Sequence, residues 1–368
     1  MRLPAVEKYF KAALLKALGL LLPDRRHQPR EVDLSLIRRV IVIRQHDQLG
    51  DLLLSTPAFR ALRQALPQAQ ITVVARQYTY RVLEHNPDID RILVFPEKLY
   101  QATPAKLWRL WQGLRQGCDL AVVLNTISHS LSSDILARLT GAKFILGSAE
   151  NPFPGARPNL FYNLLAPGFG ERVHETRRNL RILEYLNIRT KDMGESCALS
   201  PQEEEQGRDI LYKNHIMPER TVGLHLGAYN VCNRWPYQNY AALADWLVKD
   251  FGFQVAVFWG PGEEELGERF MGLVKSEVKL LSGLDIRQLA SVIKPLRLMV
   301  CNDTGVMHLS AALGTPTFAI FGRSEPEFWR PLNKNFYGVR GLDKNCASAE
   351  LDVVQSGIKR MLSRRDLF

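Results

Sequence analysis

The chain has only five cysteines in 368 residues (Cys118, Cys197, Cys232, Cys301 and Cys346), an odd number with no metal-ligand spacing. That disfavours a disulfide framework or a zinc module, and the thiols read as reduced ones in a cytoplasmic protein. No uninterrupted apolar run is long enough to span a bilayer. Neither half carries G-x-G-x-x-G after its first strand or a G-x-x-x-x-G-K-[ST] loop, which disfavours a nicotinamide dehydrogenase and a P-loop kinase. The G-x-S-x-G elbow of a serine hydrolase is missing too. No D-x-D-type pair or His/Cys cluster stands near the strand-end motifs, so no metal and no cofactor is expected. Low-complexity segments and short-period repeats are also absent.

What is present is the composition of a globular protein, 46% hydrophobic and 23% charged. The length suits two α/β domains of ordinary size. A formal net charge of +10 favours an anionic partner: nucleotide, phosphorylated glycan, membrane surface or nucleic acid. The basic residues show no stripe interleaved with aromatics, which ranks nucleic acid last. Near the N-terminus, Val6, Tyr9, Phe10, Ala13, Leu14, Ala17, Leu18 and Leu21 share one helical face, with Glu7, Lys8, Lys11 and Lys16 opposite. Pro23 ends that helix, and Arg25, Arg26 and Arg30 follow. Lysines interrupt the apolar face and no small-residue cleavage site follows, so a signal peptide is not expected. Residues 1–30 therefore read as a basic amphipathic helix and tail. It either lies in a membrane interface or packs on its own domain or a partner subunit.

From Arg38 onward, strand and helix patterns alternate. Apolar runs predict strands at Val40–Ile43, Ile71–Val74, Ile92–Phe95, Leu120–Leu124 and Phe144–Leu146. A helix is expected over Ala58–Leu66. Pro57 stands either in its first turn behind a Thr56 cap or at a kink in a longer helix from near Asp51. The proline-rich segment from Asn151 to Gly170 reads as a surface loop. The second half predicts strands at Val222–Leu226, Val255–Phe258, Lys279–Leu281, Leu298–Val300 and Thr317–Ile320, with helices between them and a last helix over Leu351–Leu362. Such alternation makes an α/β protein of two doubly wound parallel-sheet domains, whose strand C-termini would face a central cleft. The expected ranges are 31–195 for the first domain, 196–345 for the second and 346–368 for the C-terminal helix.

The chemistry is expected at strand ends. Cys301 to Pro316 reads as the end of a strand, a turn and a helix. Thr304 is placed as N-cap, Gly305 leaves room for a ligand, and Gly314 stops the helix. A helix N-terminus offers unpaired N–H groups and a positive dipole end to a phosphate, and here Asp303 and His308 flank it. The first half contributes Asp51 after its first strand. The second adds His225, Asn230, Asn233, Arg234 and the Gly260–Glu264 turn. One domain gripping a nucleotide diphosphate and the other offering a base to a hydroxyl suits group transfer from a nucleotide-activated donor.

Three stretches make the chain resemble the ADP-heptose:lipopolysaccharide heptosyltransferase family, inverting enzymes of glycosyltransferase family 9 with the GT-B fold. The first is Ile43-Arg44 followed by Gly50-Asp51-Leu52-Leu53-Leu54-Ser55-Thr56-Pro57-Ala58. The second is His225-Leu226-Gly227-Ala228 with Arg234-Trp235-Pro236. The third runs from Asn302-Asp303-Thr304-Gly305-Val306-Met307-His308 through Gly314-Thr315-Pro316 to Phe321-Gly322. The resemblance implies that Asp51 is the general base for the acceptor hydroxyl. A helix N-terminus stabilises a carboxylate and weakens it as a base, so Asp51 would depend on geometry and on exclusion of water. Its plain alternative is an N-capping role.

The resemblance also implies that Asp303, Thr304, Gly305 and His308 bind the ADP-sugar, Asp303 toward sugar hydroxyls. Gly227, Ala228, Asn233 and Arg234 join them on the donor side, and either Glu263 or Glu264 would hold the ribose. Arg44 and Gly50 are assigned to an anionic acceptor. Relatives usually carry a lysine two residues before the Trp-Pro pair, and Asn233 stands there in this chain. Arg234 or Arg323 would then supply the missing charge. The implied activity is metal-independent transfer of a heptose or similar sugar from ADP to a lipopolysaccharide-core or other lipid-linked glycan. It would take place on the cytoplasmic side, peripheral to the membrane. A different nucleotide sugar on the same fold, or a non-catalytic glycan-binding protein, is the alternative.

Overall fold

Apolar β-branched runs covered on both faces form two parallel sheets, because such runs can be buried only between layers of helices. The computed structural model describes residues 26–98, 102–124, 130–150, 160–168 and 172–363. The expected helix over Val6–Leu21 and most of the 151–170 loop lie outside the described residues.

The first sheet contains β1 (Arg39–Arg44), β2 (Gln70–Arg76), β3 (Arg91–Phe95), β4 (Leu120–Val123), β5 (Phe144–Ser148) and β6 (Leu164–Ala166), ordered β3-β2-β1-β4-β5-β6. All pairs are parallel, and Val40 sits between Ile71 and Leu120. The second holds β7 (Thr221–His225), β8 (Gln254–Phe258), β9 (Lys279–Leu280), β10 (Leu298–Asn302), β11 (Thr317–Phe321) and β12 (Phe336–Arg340), ordered β12-β11-β10-β7-β8-β9. It too is parallel throughout. Each sheet reverses its strand order at one place, between β1 and β4 and between β7 and β10, where doubly wound folds open a crevice for ligands.

The helices are α1 (Leu49–Leu53), α2 (Thr56–Ala65), α3 (Pro104–Leu114), α4 (Leu131–Leu139), α5 (Glu175–Glu184), α6 (Pro201–Lys213), α7 (Tyr237–Phe251), α8 (Glu264–Met271), α9 (Ile286–Ile293), α10 (Gly305–Ala312), α11 (Pro326–Trp329) and α12 (Leu351–Ser363). Two strands escape the sequence pattern. β6 has three residues inside the segment expected to be loop. β12 is half-exposed along its length, so it lacks the apolar run that marks its neighbours. The helix around Pro57 also differs from the simpler expectation. It begins at Leu49, ahead of Asp51, and breaks before α2. Proline has no N–H for the carbonyl four residues back. The Thr56 hydroxyl donates to that carbonyl, Leu53 O, at 2.7 Å instead.

The chain divides into two compact units, and the ranges expected from sequence cut across them. The first comprises the described residues up to His46, Ala58–Tyr78 and Asp88–Lys191. The second comprises Asp47–Pro57, Thr79–Pro87 and everything from Asp192, so that α1, α12 and the short helix Tyr80–Leu83 belong with β7–β12. Within the second unit, Arg287 of α9 explains part of this. Its Nε and Nη2 donate to the two oxygens of Glu203 at 2.7 Å each, its Nη2 reaches Ala198 O at 2.7 Å, and its Nη1 reaches Arg81 O at 3.2 Å. A planar guanidinium with five donors can serve three backbone segments at once.

Candidate active site

The C-terminal end of β10 organises the second unit's candidate site. Asn302 is wholly buried; its Nδ2 donates to Leu226 O at 2.8 Å and Gly227 O at 3.1 Å, and its Oδ1 accepts from Trp235 N at 3.0 Å. One amide thus joins the ends of β10 and β7 to the loop before α7. Trp235 forms a packing corner, buried edge-on to Tyr240, with its indole N–H on Ala349 O at 2.8 Å.

α10 starts one residue after the N-cap Thr304, but that side chain caps no amide. The Thr304 hydroxyl turns back to Asn302 O at 3.4 Å, leaving the first-turn N–H groups without the usual side-chain acceptor. Asp303 stands beside them and accepts from Asn233 Nδ2 at 3.2 Å. Burial pushes its carboxyl upward, opposed by Ser324, His308 and Arg340. Asn233 also accepts from Arg323 N at 3.0 Å, so the residue standing where a lysine was expected ties Asp303 to the loop after β11. Arg340, which sequence reading passed over, donates to Gly322 O and Arg323 O and adds a cation close to Asp303.

α1 packs against α10 within this unit. A Cβ on Gly50 would lie 2.6 Å from His308 Cδ2, and one on Gly305 would lie 2.8 Å from a Leu49 methyl. These two glycines therefore serve a close helix approach, which gives each a structural reason beyond the ligand contact expected of it. Asp51, in the first turn of α1, accepts from Gln48 N at 3.3 Å, so the capping role is realised. Its charge also acts on His308.

His308 is buried one turn inside α10, with Nδ1 2.9 Å from Glu195 Oε1. Burial pulls its imidazole down, but Glu195, then Asp303 and Asp51, more than offset this, and the net shift is upward. Glu195 is itself pushed up by burial, with His308 opposing. Asn333 holds the Glu195 backbone at both ends, through N–H at 3.1 Å and C=O at 3.1 Å. Sequence reading missed Glu195 because it lies in an aperiodic stretch before α6.

Across the switch point, Gly227 faces Glu263, whose Oε2 would come within 1.7 Å of an added Cβ. Glu263 accepts from Gly260 N at 2.8 Å and lies 3.8 Å from Arg234 Nη2. Arg234 Nε donates to Ala228 O at 2.5 Å. Of the acidic pair, Glu263 lies against the β7 loop, whereas Glu264 opens α8 and accepts from Gly262 N at 3.2 Å. Burial lowers the His225 pKa, with Glu263 opposing.

Asp51, Gly50, Asp303, Thr304, Gly305, His308, Gly227, Ala228, Asn233, Arg234, Glu263 and Glu264 thus all fall in one compact unit. Arg44 belongs to the other. It is buried at the end of β1, where its guanidinium donates to Leu124 O and, at 3.4 Å, to Asn179 Oδ1. Among the described residues no group of three or more His, Cys, Asp or Glu could hold a metal ion.

Two Rossmann-like parallel sheets give the α/β GT-B fold, and comparison with known proteins supplies the family. Residues 107–354 match the model of glycosyltransferase family 9 (heptosyltransferase). The chain belongs to that family. It is 24% identical over 326 residues to lipooligosaccharide heptosyltransferase 2 of Haemophilus influenzae, covering 84% of this chain and 90% of that one. It is 26% identical over 294 residues to lipopolysaccharide heptosyltransferase 3 of Escherichia coli, covering 78% and 84%. Among solved structures, a family 9 glycosyltransferase from Veillonella parvula superposes with a TM-score of 0.77 at 20% identity, over 93% of this chain and 99% of that one. Heptosyltransferase WaaC of E. coli with ADP gives 0.71 at 19% identity, over 88% and 99%.

Proposed function

We propose that this glycosyltransferase transfers a heptose, or a closely similar sugar, from ADP-heptose to a lipopolysaccharide-core or other lipid-linked glycan, with inversion and without a metal. The observation that carries the reading is the packing of α1 on α10. It brings Asp51 and the uncapped first turn of α10 into one unit, which supports reading the first as a base and the second as an anion site. In this reading Asp51 takes the proton of the acceptor hydroxyl as that oxygen attacks the anomeric carbon. The bond from that carbon to the diphosphate oxygen breaks, and ADP leaves with the electron pair. The α10 amides and the Thr304 hydroxyl stabilise the charge that develops on the leaving group, with Arg234 and Arg323 as nearby cations. Asp303 and Glu263 hold donor hydroxyls. Gly50 is assigned to the acceptor side, and a lipid-linked acceptor would put the reaction at the cytoplasmic face of a membrane.

Asn233 favours a second reading, the same chemistry with another nucleotide sugar, because it supplies no charge to a diphosphate. A donor screen with ADP-heptose, UDP-sugars and GDP-sugars, read beside calorimetry with ADP, UDP and GDP, separates the two. Turnover with ADP-heptose alone supports the first reading and turnover with another donor supports the second. Nucleotide binding without any turnover would overturn both in favour of a non-catalytic glycan-binding protein.

A further inference from the structure

Helix α3 carries an apolar arc wider than its core contact needs. Leu110, Gly113 and Leu114 are buried in the first unit's core, and Gly113 presses on Leu93 of the edge strand β3. The arc next to these buried residues exposes Leu107 (38%), Trp108 (59%) and Trp111 (42%). At roughly 100° per residue these three fall within about 100° of the helix circumference, a single apolar strip. Leaving two tryptophans in water is costly, and an exposed aromatic strip of this kind marks a contact surface.

Charge selects the partner. Between Lys98 and Cys118 the sequence carries Lys98, Lys106, Arg109 and Arg115 and no aspartate or glutamate. All four bases are exposed. The Arg115 guanidinium lies 5.6 Å from the Trp111 ring centre, so base and aromatic share one patch. Tryptophan at headgroup depth, with long basic side chains reaching to the phosphates, is the pattern of an interfacial helix. At 11 residues α3 can lie on a bilayer but not cross it. We infer that the exposed strip of α3 is a docking surface for an anionic lipid bilayer, engaged through Trp108 and Trp111 with Arg115 beside them. This stands whichever nucleotide sugar the enzyme uses.

The test is sedimentation of the full chain with vesicles of phosphatidylcholine alone or with phosphatidylglycerol at about a third of the lipid, an anionic density like that of a cytoplasmic leaflet. The wild type is expected to bind only the anionic vesicles, and less as salt rises. Trp108→Ser/Trp111→Ser should weaken binding at least about tenfold, and Arg115→Gln about fivefold. Thermal unfolding should not change, because all three side chains are exposed. Leu14→Glu/Leu18→Glu tests the N-terminal segment in parallel. The inference fails if the α3 variants bind within twofold of wild type, whether or not the N-terminal variant does. It also fails if the wild type binds both vesicle types equally or neither, or if this patch takes up nucleic acid instead of lipid.

Discussion

His308 and Glu195 form a buried pair across 2.9 Å, joining the first turns of α10 to a segment that no periodic pattern marks. Two consequences follow from its position. The imidazole is held in one orientation, with its Cδ2–Nε2 edge over Gly50. It also stays protonated to higher pH than an ordinary histidine, because Glu195, Asp303 and Asp51 face it. Glu195→Gln keeps a hydrogen-bond partner and removes the charge. ADP affinity of the variant should fall about tenfold near pH 8, and the deficit should narrow near pH 6, where Asp303 and Asp51 still favour the charged imidazole against its burial. Calorimetric titration at the two pH values checks this, and an equal loss at both would show that Glu195 acts only as packing. Stability has its own sign. A raised histidine pKa contributes fully below the ordinary value of about 6.5, and that contribution is lost as pH climbs through the folded value.

Asp51→Asn should lower kcat by about 10²–10⁴-fold, the usual contribution of a positioned general base. The amide can still accept from Gln48 N–H, so α1 keeps its first turn. ADP binding should therefore stay within about twofold of wild type. A variant that turned over normally would remove Asp51 from the chemistry.

Gly50→Ala tests the packing of α1 on α10 directly. The new methyl meets His308 Cδ2 at 2.6 Å, and the imidazole cannot retreat without breaking its bond to Glu195. A loss of about 1–3 kcal/mol in unfolding free energy is expected, together with a fall in kcat/KM. Glu195→Gln combined with Gly50→Ala should cost less than the sum, because both act on one ring. Denaturant melts of the two single variants and the double variant give the coupling.

The legible parts of this molecule were those whose contacts are near in sequence. Val40–Ile43 and Leu298–Val300 announce buried strands because every side chain in them is apolar. The turn after β10 announces a helix because Thr304 and Gly314 bracket it. β12 was not legible: Phe336–Arg340 is half-exposed, and its close approach to Phe321 at Gly338 leaves no mark in the pattern. Glu195 was not legible because its partner lies 113 residues away and its backbone is held by Asn333, 138 residues on. The same holds for residues 47–57 and 79–87, whose membership of the second unit rests on long-range contacts such as Gly50 with His308 and Arg81 with Arg287. Asp51, Asp303 and His308 could be picked out as polar residues at strand ends and by family resemblance. That they share one unit came only from the packing.

The Arg287–Glu203 pair makes a stability prediction that is independent of catalysis. Arg287 is buried and grips both carboxylate oxygens, and the Ser200 backbone N–H adds a third donor at 2.8 Å. Chiefly through the Arg287 bonds, the Glu203 carboxyl is held down at about 2. A depressed carboxylate stabilises the fold above its unfolded pKa and loses that contribution as pH falls through the folded value. Glu203→Gln should therefore cost about 2–4 kcal/mol near pH 7, since it leaves the buried guanidinium with an uncharged partner. The deficit should shrink as pH drops below about 4.5 and largely vanish near 2, where the wild-type carboxyl is protonated as well. Urea unfolding of both proteins across that range measures the difference at each pH. A deficit that stayed constant from neutral to acid pH would mean that Glu203 contributes shape and hydrogen bonds, not charge.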